Sequence, residues 1–225
     1  MIMDISADAL LFDMDGTLID STPSVRRCWR TWAAEYGLGE EAAAGILQHG
    51  RPAAEIIADA LPAERLADGG AERALRRIED LECADTAGTV PLPGSLELLT
   101  SLPADRWAVV TSATGRLAAA RLEVTGIRPS LLISADDITR GKPDPEPFLR
   151  GAEKLGADPA RCLVLEDAPA GLAAARAAGM RSVALTTTHR AAELAEHGPE
   201  AILDSLAWLR VVPQPSGALL VHIAE

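Results

Sequence analysis

The sequence predicts an α/β fold: a doubly wound, Rossmann-like parallel sheet with an α-helical insertion after its first strand. Three observations lead there. Between Ser95 and Leu203, helix-period segments alternate with short apolar runs, the pattern of repeated βα units. Those runs are unbroken rather than alternating, as in strands covered on both faces. Between Ile19 and Pro93 the spacing is helical throughout and no strand-like run occurs.

The first strand is expected at Ala9–Phe12. It stops at Asp13-Met14-Asp15-Gly16-Thr17, two carboxylates one residue apart followed by a glycine that lets the chain turn. Ligands of open parallel sheets sit beyond the carboxyl ends of the strands, so this segment delivers two carboxylates to that crevice. Taken alone, it reads equally well as a polar turn with one Asp capping the next helix. A calcium loop of the EF-hand type fits worse, because it needs Gly sixth and Glu twelfth, and Gly16 is fourth from Asp13.

Ser21-Thr22-Pro23 marks a helix start, a hydroxyl cap followed by proline in the first turn. Val25, Trp29, Trp32, Ala33 and Tyr36 then recur at helical spacing until Gly37 and Gly39. The tryptophans read as core packing. Helical patterns follow at 42–47, 53–61 and through Leu75, Ile78 and Leu81, before a Pro/Gly-rich joint at 86–94. The expected division is thus an α/β core of residues 1–18 and 94–225 with a helical cap of residues 19–93. Within the core, helices are expected at 95–102, 115–125, 147–155 and 170–178, the last closed by Gly179. They alternate with strands at 107–111, 131–133, 162–167, 182–185 and 201–203. Residues 206–225 contain two further strand-like runs around Pro213-Gln214-Pro215-Ser216-Gly217, expected as a packed β-hairpin.

At 48% hydrophobic and 24% charged, the 225-residue chain has an ordinary globular composition. Its net charge of -12 argues against binding nucleic acid or an anionic membrane, both of which need a basic face. Cys28, Cys83 and Cys162 match no zinc or disulfide spacing, so buried free thiols are expected. No segment has the length of a membrane span and the first residues lack a signal-peptide pattern, so the expected location is cytoplasmic.

Three expected strands end in polar residues: Asp13 and Asp15, Thr111 and Ser112, Glu166 and Asp167. Parallel strands share a direction, so these ends meet in one crevice. Four carboxylates there repel unless cations hold them. Hard oxygen ligands suit Mg²⁺ better than a softer metal. Lys142, in Gly141-Lys142-Pro143, supplies a further positive charge. Lys142 and Lys154 are the only lysines in a chain that otherwise uses Arg, which suggests a need for a compact point charge at 142. Each pair alone also reads as helix capping or a polar turn; the four together point to chemistry.

In this order and at these strand ends, Asp13-x-Asp15-Gly-Thr-Leu, Thr111-Ser112, Gly-Lys142-Pro and Glu166-Asp167 resemble the haloacid dehalogenase-like hydrolase superfamily. The branch is the one with a helical cap inserted after the first motif. The second Asp of that motif favours a phosphatase over a dehalogenase. The resemblance implies Asp13 as nucleophile, forming an aspartyl-phosphate, and Asp15 as general acid and base. It implies Mg²⁺ held by the Asp13 carboxylate, the Asp15 carbonyl and Asp167, with Glu166 acting through water. Thr111, Ser112, Lys142 and backbone N–H groups after Asp13 would hold the phosphoryl oxygens.

Leu47-Gln48-His49-Gly50-Arg51-Pro52 in the insertion resembles the His-Gly cap motif of glycerol-phosphate and 2-deoxysugar-phosphate phosphatases. His49, Arg51 and Glu55 are therefore candidate substrate contacts. The expected substrate is a small sugar or polyol phosphate, and the expected state is a monomer. A mutase of the β-phosphoglucomutase type is the alternative, disfavoured because Arg51-Pro52 stands where that family carries Ser-Arg. A non-enzymatic phosphoryl-accepting signalling domain is a remote third, since its phosphorylated Asp lies on a later strand.

Overall fold

The computed structural model describes residues 3–39 and 53–224. Its strands are β1 (Met3–Ala7), β2 (Ala9–Phe12), β3 (Ile19–Asp20), β4 (Val90–Pro91), β5 (Trp107–Val110) and β6 (Leu132–Ile133). They continue with β7 (Cys162–Glu166), β8 (Arg181–Leu185), β9 (Ala201–Leu203), β10 (Leu209–Pro213) and β11 (Leu219–Ile223). Six of them form a parallel sheet in the order β6-β5-β2-β7-β8-β9. The chain therefore builds outward from β2 in one direction, returns beside it, and builds outward in the other, as expected of a doubly wound sheet.

Every residue of β2, β5 and β7 is buried, which is why their sequences do not alternate. Successive side chains still point to opposite faces. Leu10 and Phe12 pack with Leu98, Leu99, Ala118 and Leu122 of helices Ser95–Thr100 and Gly115–Thr125. Ala9 and Leu11 meet Phe148, Ala152, Ala174 and Ala175 of helices Glu146–Leu155 and Pro169–Ala177. In-register pairing of Phe12 with Val109 and with Leu165 brings the ends of β2, β5 and β7 level, and this is what positions the site.

The sequence gives no clear sign of β1, whose apolar residues Ile5 and Ala7 are buried between the exposed Asp4 and Ser6. It pairs antiparallel with β11, which pairs antiparallel with β10. The expected C-terminal hairpin is thus part of a three-stranded sheet. Leu209, Val211, Leu219, Val221 and Ile223 from that sheet are buried in the same cluster as Phe12.

Between β3 and β4 the described chain is helical: Thr22–Glu35, Ala53–Ala60, Ala63–Leu66 and Gly70–Ala84. Trp29 and Trp32 are buried there with Ile57, Ala74 and Ile78, and Trp32 Nε1 donates to the Ala74 carbonyl at 3.0 Å. The joint contains structure the sequence did not suggest, since β3 pairs antiparallel with β4. Three further expectations are corrected. Ser21 does not cap helix Thr22–Glu35 with its hydroxyl; it donates instead to Asp15, and the Asp20 carboxylate accepts from Thr22 N at 2.9 Å. The buried stripe of helix Gly70–Ala84 is Ala74, Ile78 and Glu82, with Leu75 exposed. The three cysteines are free, but only Cys28 and Cys162 are fully buried. The helical pattern at 42–47 lies outside the described residues. Among the described residues, no helix is long and apolar enough to cross a membrane.

If the three-stranded sheet completes the core, Leu219→Ala costs about 2–5 kcal/mol of unfolding free energy. Denaturant unfolding measures this, and a loss of only a few tenths would contradict the packing.

Candidate active site

Asp13 begins the turn directly after β2, its N–H bonded to the Leu165 carbonyl of β7 at 3.0 Å. Glu166 closes β7, and Asp167 follows it. Carboxylate oxygens of Asp13, Glu166 and Asp167, all buried, lie within 4.8 Å of one another. Lys142 reaches into this group from the loop before helix Glu146–Leu155. Its Nζ donates to Asp13 Oδ1 at 2.6 Å, Glu166 Oε1 at 2.8 Å and the Val110 carbonyl at 3.1 Å. It also stands 4.9 Å from the centroid of the Phe148 ring.

The second oxygen of Glu166 accepts from the N–H groups of Asp167 and Ala168, both at 2.7 Å. Glu166 thereby anchors Lys142 and its own loop. Asp167 is fixed from its other side: Thr17 donates to Oδ1 at 3.1 Å, and Thr188 donates to Oδ2. Two glycines make these approaches possible. Gly16 sits at φ +90, and a Cβ there would run into the Asp167 carboxylate; one on Gly171 would run into Glu166.

The electrostatics show a deficit of positive charge. Burial pushes Asp13 up to about 7, with Glu166 and Asp15 adding to the shift and Lys142 opposing it. Asp167 is raised well above the usual carboxylate range, first by burial and then by Glu166 and Asp13. For Lys142, burial works against the charge, but Asp13 and Glu166 outweigh it and raise its proton affinity. One ammonium sits among three buried carboxylates and bonds two of them, Asp13 and Glu166. With all three ionised, the all-oxygen donor set carries two negative charges in excess, which fits a hard divalent cation.

Thr111 lies just past β5, buried, its hydroxyl accepting from Ala113 N at 3.1 Å. Ser112 beside it is exposed. The Gly16 N–H, expected to help cradle a phosphate, is bonded to the Ile19 carbonyl at 2.8 Å. Asp15 is not in the buried carboxylate group. Ser21 donates to its Oδ1 at 2.6 Å, and Arg121 Nη1 pairs with its Oδ2 at 2.8 Å. Glu55 is exposed in the first turn of helix Ala53–Ala60, and His49 and Arg51 lie outside the described residues.

Several residues around the site carry no site role in the sequence reading: Thr17 and Ser21, which it places in the first motif and at a helix start, and Glu82, Arg121, Thr188 and His189. His189 Nδ1 lies 3.0 Å from the Asp167 carbonyl and 2.9 Å from Thr188 Oγ1. Arg121 and Glu82 each left a signal. Arg121 falls on the buried stripe of Leu117, Ala118, Leu122 and Thr125, and Glu82 on that of Ala74 and Ile78. A charge on an apolar stripe needs a partner.

An open parallel sheet whose strand ends gather acids, a lysine and hydroxyls places an α/β ligand site at those ends. Comparison with known proteins names the group. The family model described as "Hydrolase: haloacid dehalogenase-like hydrolase" matches residues 7–179, and the chain belongs to that family. It is 37% identical over 215 residues to hexitol phosphatase A of Escherichia coli K12, covering 94% of this chain and 97% of the relative. It is 33% identical over 221 residues to glycerol-1-phosphate phosphohydrolase 2 of Saccharomyces cerevisiae, covering 93% and 86%. The fold is similar to the crystal structure of CbbY from Rhodobacter sphaeroides in complex with phosphate, with a TM-score of 0.71, 27% identity and coverage of 89% and 95%. With such relatives over most of its length, the chain is an enzyme of the phosphatase class.

Gly171→Ala is expected to displace Glu166 and cost about 1–3 kcal/mol, the usual penalty for overpacking. Thermal and denaturant unfolding report it, and a neutral substitution would contradict the tight approach.

Proposed function

We propose that this phosphatase hydrolyses the phosphomonoester of a small sugar or polyol, through an aspartyl-phosphate on Asp13 and with Mg²⁺ as cofactor. The observation that carries the reading is the interlocked group of Asp13, Lys142, Glu166 and Asp167 at the ends of adjacent strands. The relatives named as acting on hexitol phosphate and glycerol 1-phosphate support the substrate class.

In this reading Lys142 holds Oδ1 of Asp13 and leaves Oδ2 to attack phosphorus. The ester P–O bond breaks, and Asp15 protonates the departing alcohol. Water then attacks the phosphorus of the aspartyl-phosphate as Asp15 accepts its proton, and inorganic phosphate leaves with Asp13 restored. Thr111, Ser112 and Lys142 counter charge on the phosphoryl oxygens as it builds up in the transition state. The carboxylates of Asp13 and Asp167 and the carbonyl of Asp15, with Glu166 reached through water, would hold Mg²⁺, which would supply Lewis-acid stabilisation to the same oxygens.

The helical segment between β3 and β4 acts as the cap, excluding water and contacting the alcohol. His49, Arg51 and Glu55 are its candidate substrate contacts. The feature that separates this reading from a mutase is Arg51-Pro52, which lies outside the described residues.

The test is phosphate release from glycerol 1-phosphate and a panel of hexitol phosphates. Turnover is expected to require Mg²⁺, stop with chelator, and fall at least about 10³-fold in Asp13→Asn, as for other covalent nucleophiles. Turnover indifferent to chelator, or full activity in that variant, would reject the mechanism. Isomerisation of glucose 1-phosphate without phosphate release would establish the mutase instead.

A further inference from the structure

Arg121 is a charged residue in an apolar setting. It lies on helix Gly115–Thr125 and is only 5% exposed. Nη1 is 2.8 Å from Asp15 Oδ2, and Nη2 is 3.4 Å from Glu82 Oε2. Glu82 is itself 8% exposed and belongs to helix Gly70–Ala84, the last helix before the chain returns to the core. A core helix and an inserted helix thus share one guanidinium, and one of its ligands is Asp15.

Two further contacts seat the same helices. Thr114 donates to Glu79 at 2.5 Å, and Arg116 pairs with Asp80 at 2.5 Å. With Ser21 on Oδ1 and Arg121 on Oδ2, both oxygens of Asp15 are fixed in direction. The Arg121 Nε–H, meanwhile, is buried with no acceptor among the described residues. Leaving a buried donor unmet is unfavourable. Packing alone gives no reason to keep an arginine there.

We propose that Arg121 is a positioning residue for the Asp15 carboxylate, and that Glu82 makes its hold depend on the inserted helices being seated on the core. This rests on the phosphatase reading, in which Asp15 delivers a proton to the leaving alcohol. Arg121 touches neither phosphate nor metal in this scheme. It acts only through the direction in which Asp15 is held.

The consequence depends on the leaving group. An alkoxide cannot leave without its proton, whereas p-nitrophenolate can. Arg121→Gln should therefore lower kcat/KM for glycerol 1-phosphate by about 10- to 100-fold, part of the 10²–10⁴ that a positioned acid supplies. For glycerol 1-phosphate the loss should lie in kcat, with KM within about twofold. For p-nitrophenyl phosphate kcat/KM, which ends at the phosphoryl-transfer step, should change by less than about threefold, even where kcat falls through the shared water-attack step. Arg121→Lys should restore part of the loss, and Glu82→Gln should give the same contrast at smaller size. An equal fall in kcat/KM for both esters, or no fall in a folded Arg121→Gln, would overturn the proposal. If circular dichroism shows Arg121→Gln unfolded, the contrast in Glu82→Gln decides. Wild-type protein that turns over neither ester would instead overturn the phosphatase reading itself.

Discussion

The arrangement depends on a single ammonium group. Lys142 Nζ lies within hydrogen-bond distance of carboxylates from two neighbouring strand ends and of a carbonyl from the strand on the other side. Without it, Asp13, Glu166 and Asp167 would be three buried negative charges within 4.8 Å, each raising the cost of ionising the others. Burying ions is expensive, and apolar residues of similar volume commonly give as much stability or more. Such a group is thus poorly explained by stability and well explained by chemistry that needs charge in a dry place.

The fold supplies the geometry cheaply. Level register of β2 with β5 and β7 brings three loops together, and two glycines let those loops approach until carboxylates touch backbone. Local hydrogen bonds then orient each acid: Glu166 by two amides, Asp167 by two threonines. Preorganised charge of this kind needs no rearrangement as phosphoryl charge develops. Asp15 is oriented differently, by the Ser21 hydroxyl and by Arg121, a guanidinium shared with Glu82.

The legible parts of the sequence were those with a local signature. Strand ends such as Phe12-Asp13 and Leu165-Glu166 show an apolar run breaking into acids, and Lys142 stood out in a chain rich in arginine. Unbroken runs of four apolar residues marked β2, β5 and β7 because both sheet faces are covered. Less legible was whatever depends on a distant partner. The half-buried β1 is specified by pairing with β11, at the opposite end of the chain. Thr188 and His189 gain meaning only beside Asp167. Arg121 and Glu82 sat in view, but a period-based reading passes over a charge that completes an apolar stripe. Ser21 looked like a helix cap because that is the local rule, and Asp15 outcompeted it.

Three ionised carboxylates and one lysine leave two negative charges, the complement of a divalent cation. Calorimetric titration of Mg²⁺ into the metal-free protein and into Asp167→Asn tests this most directly. The account predicts one ion bound per chain in the first, and binding lost or greatly weakened in the second. Equal binding by both proteins, or none by either, would contradict it.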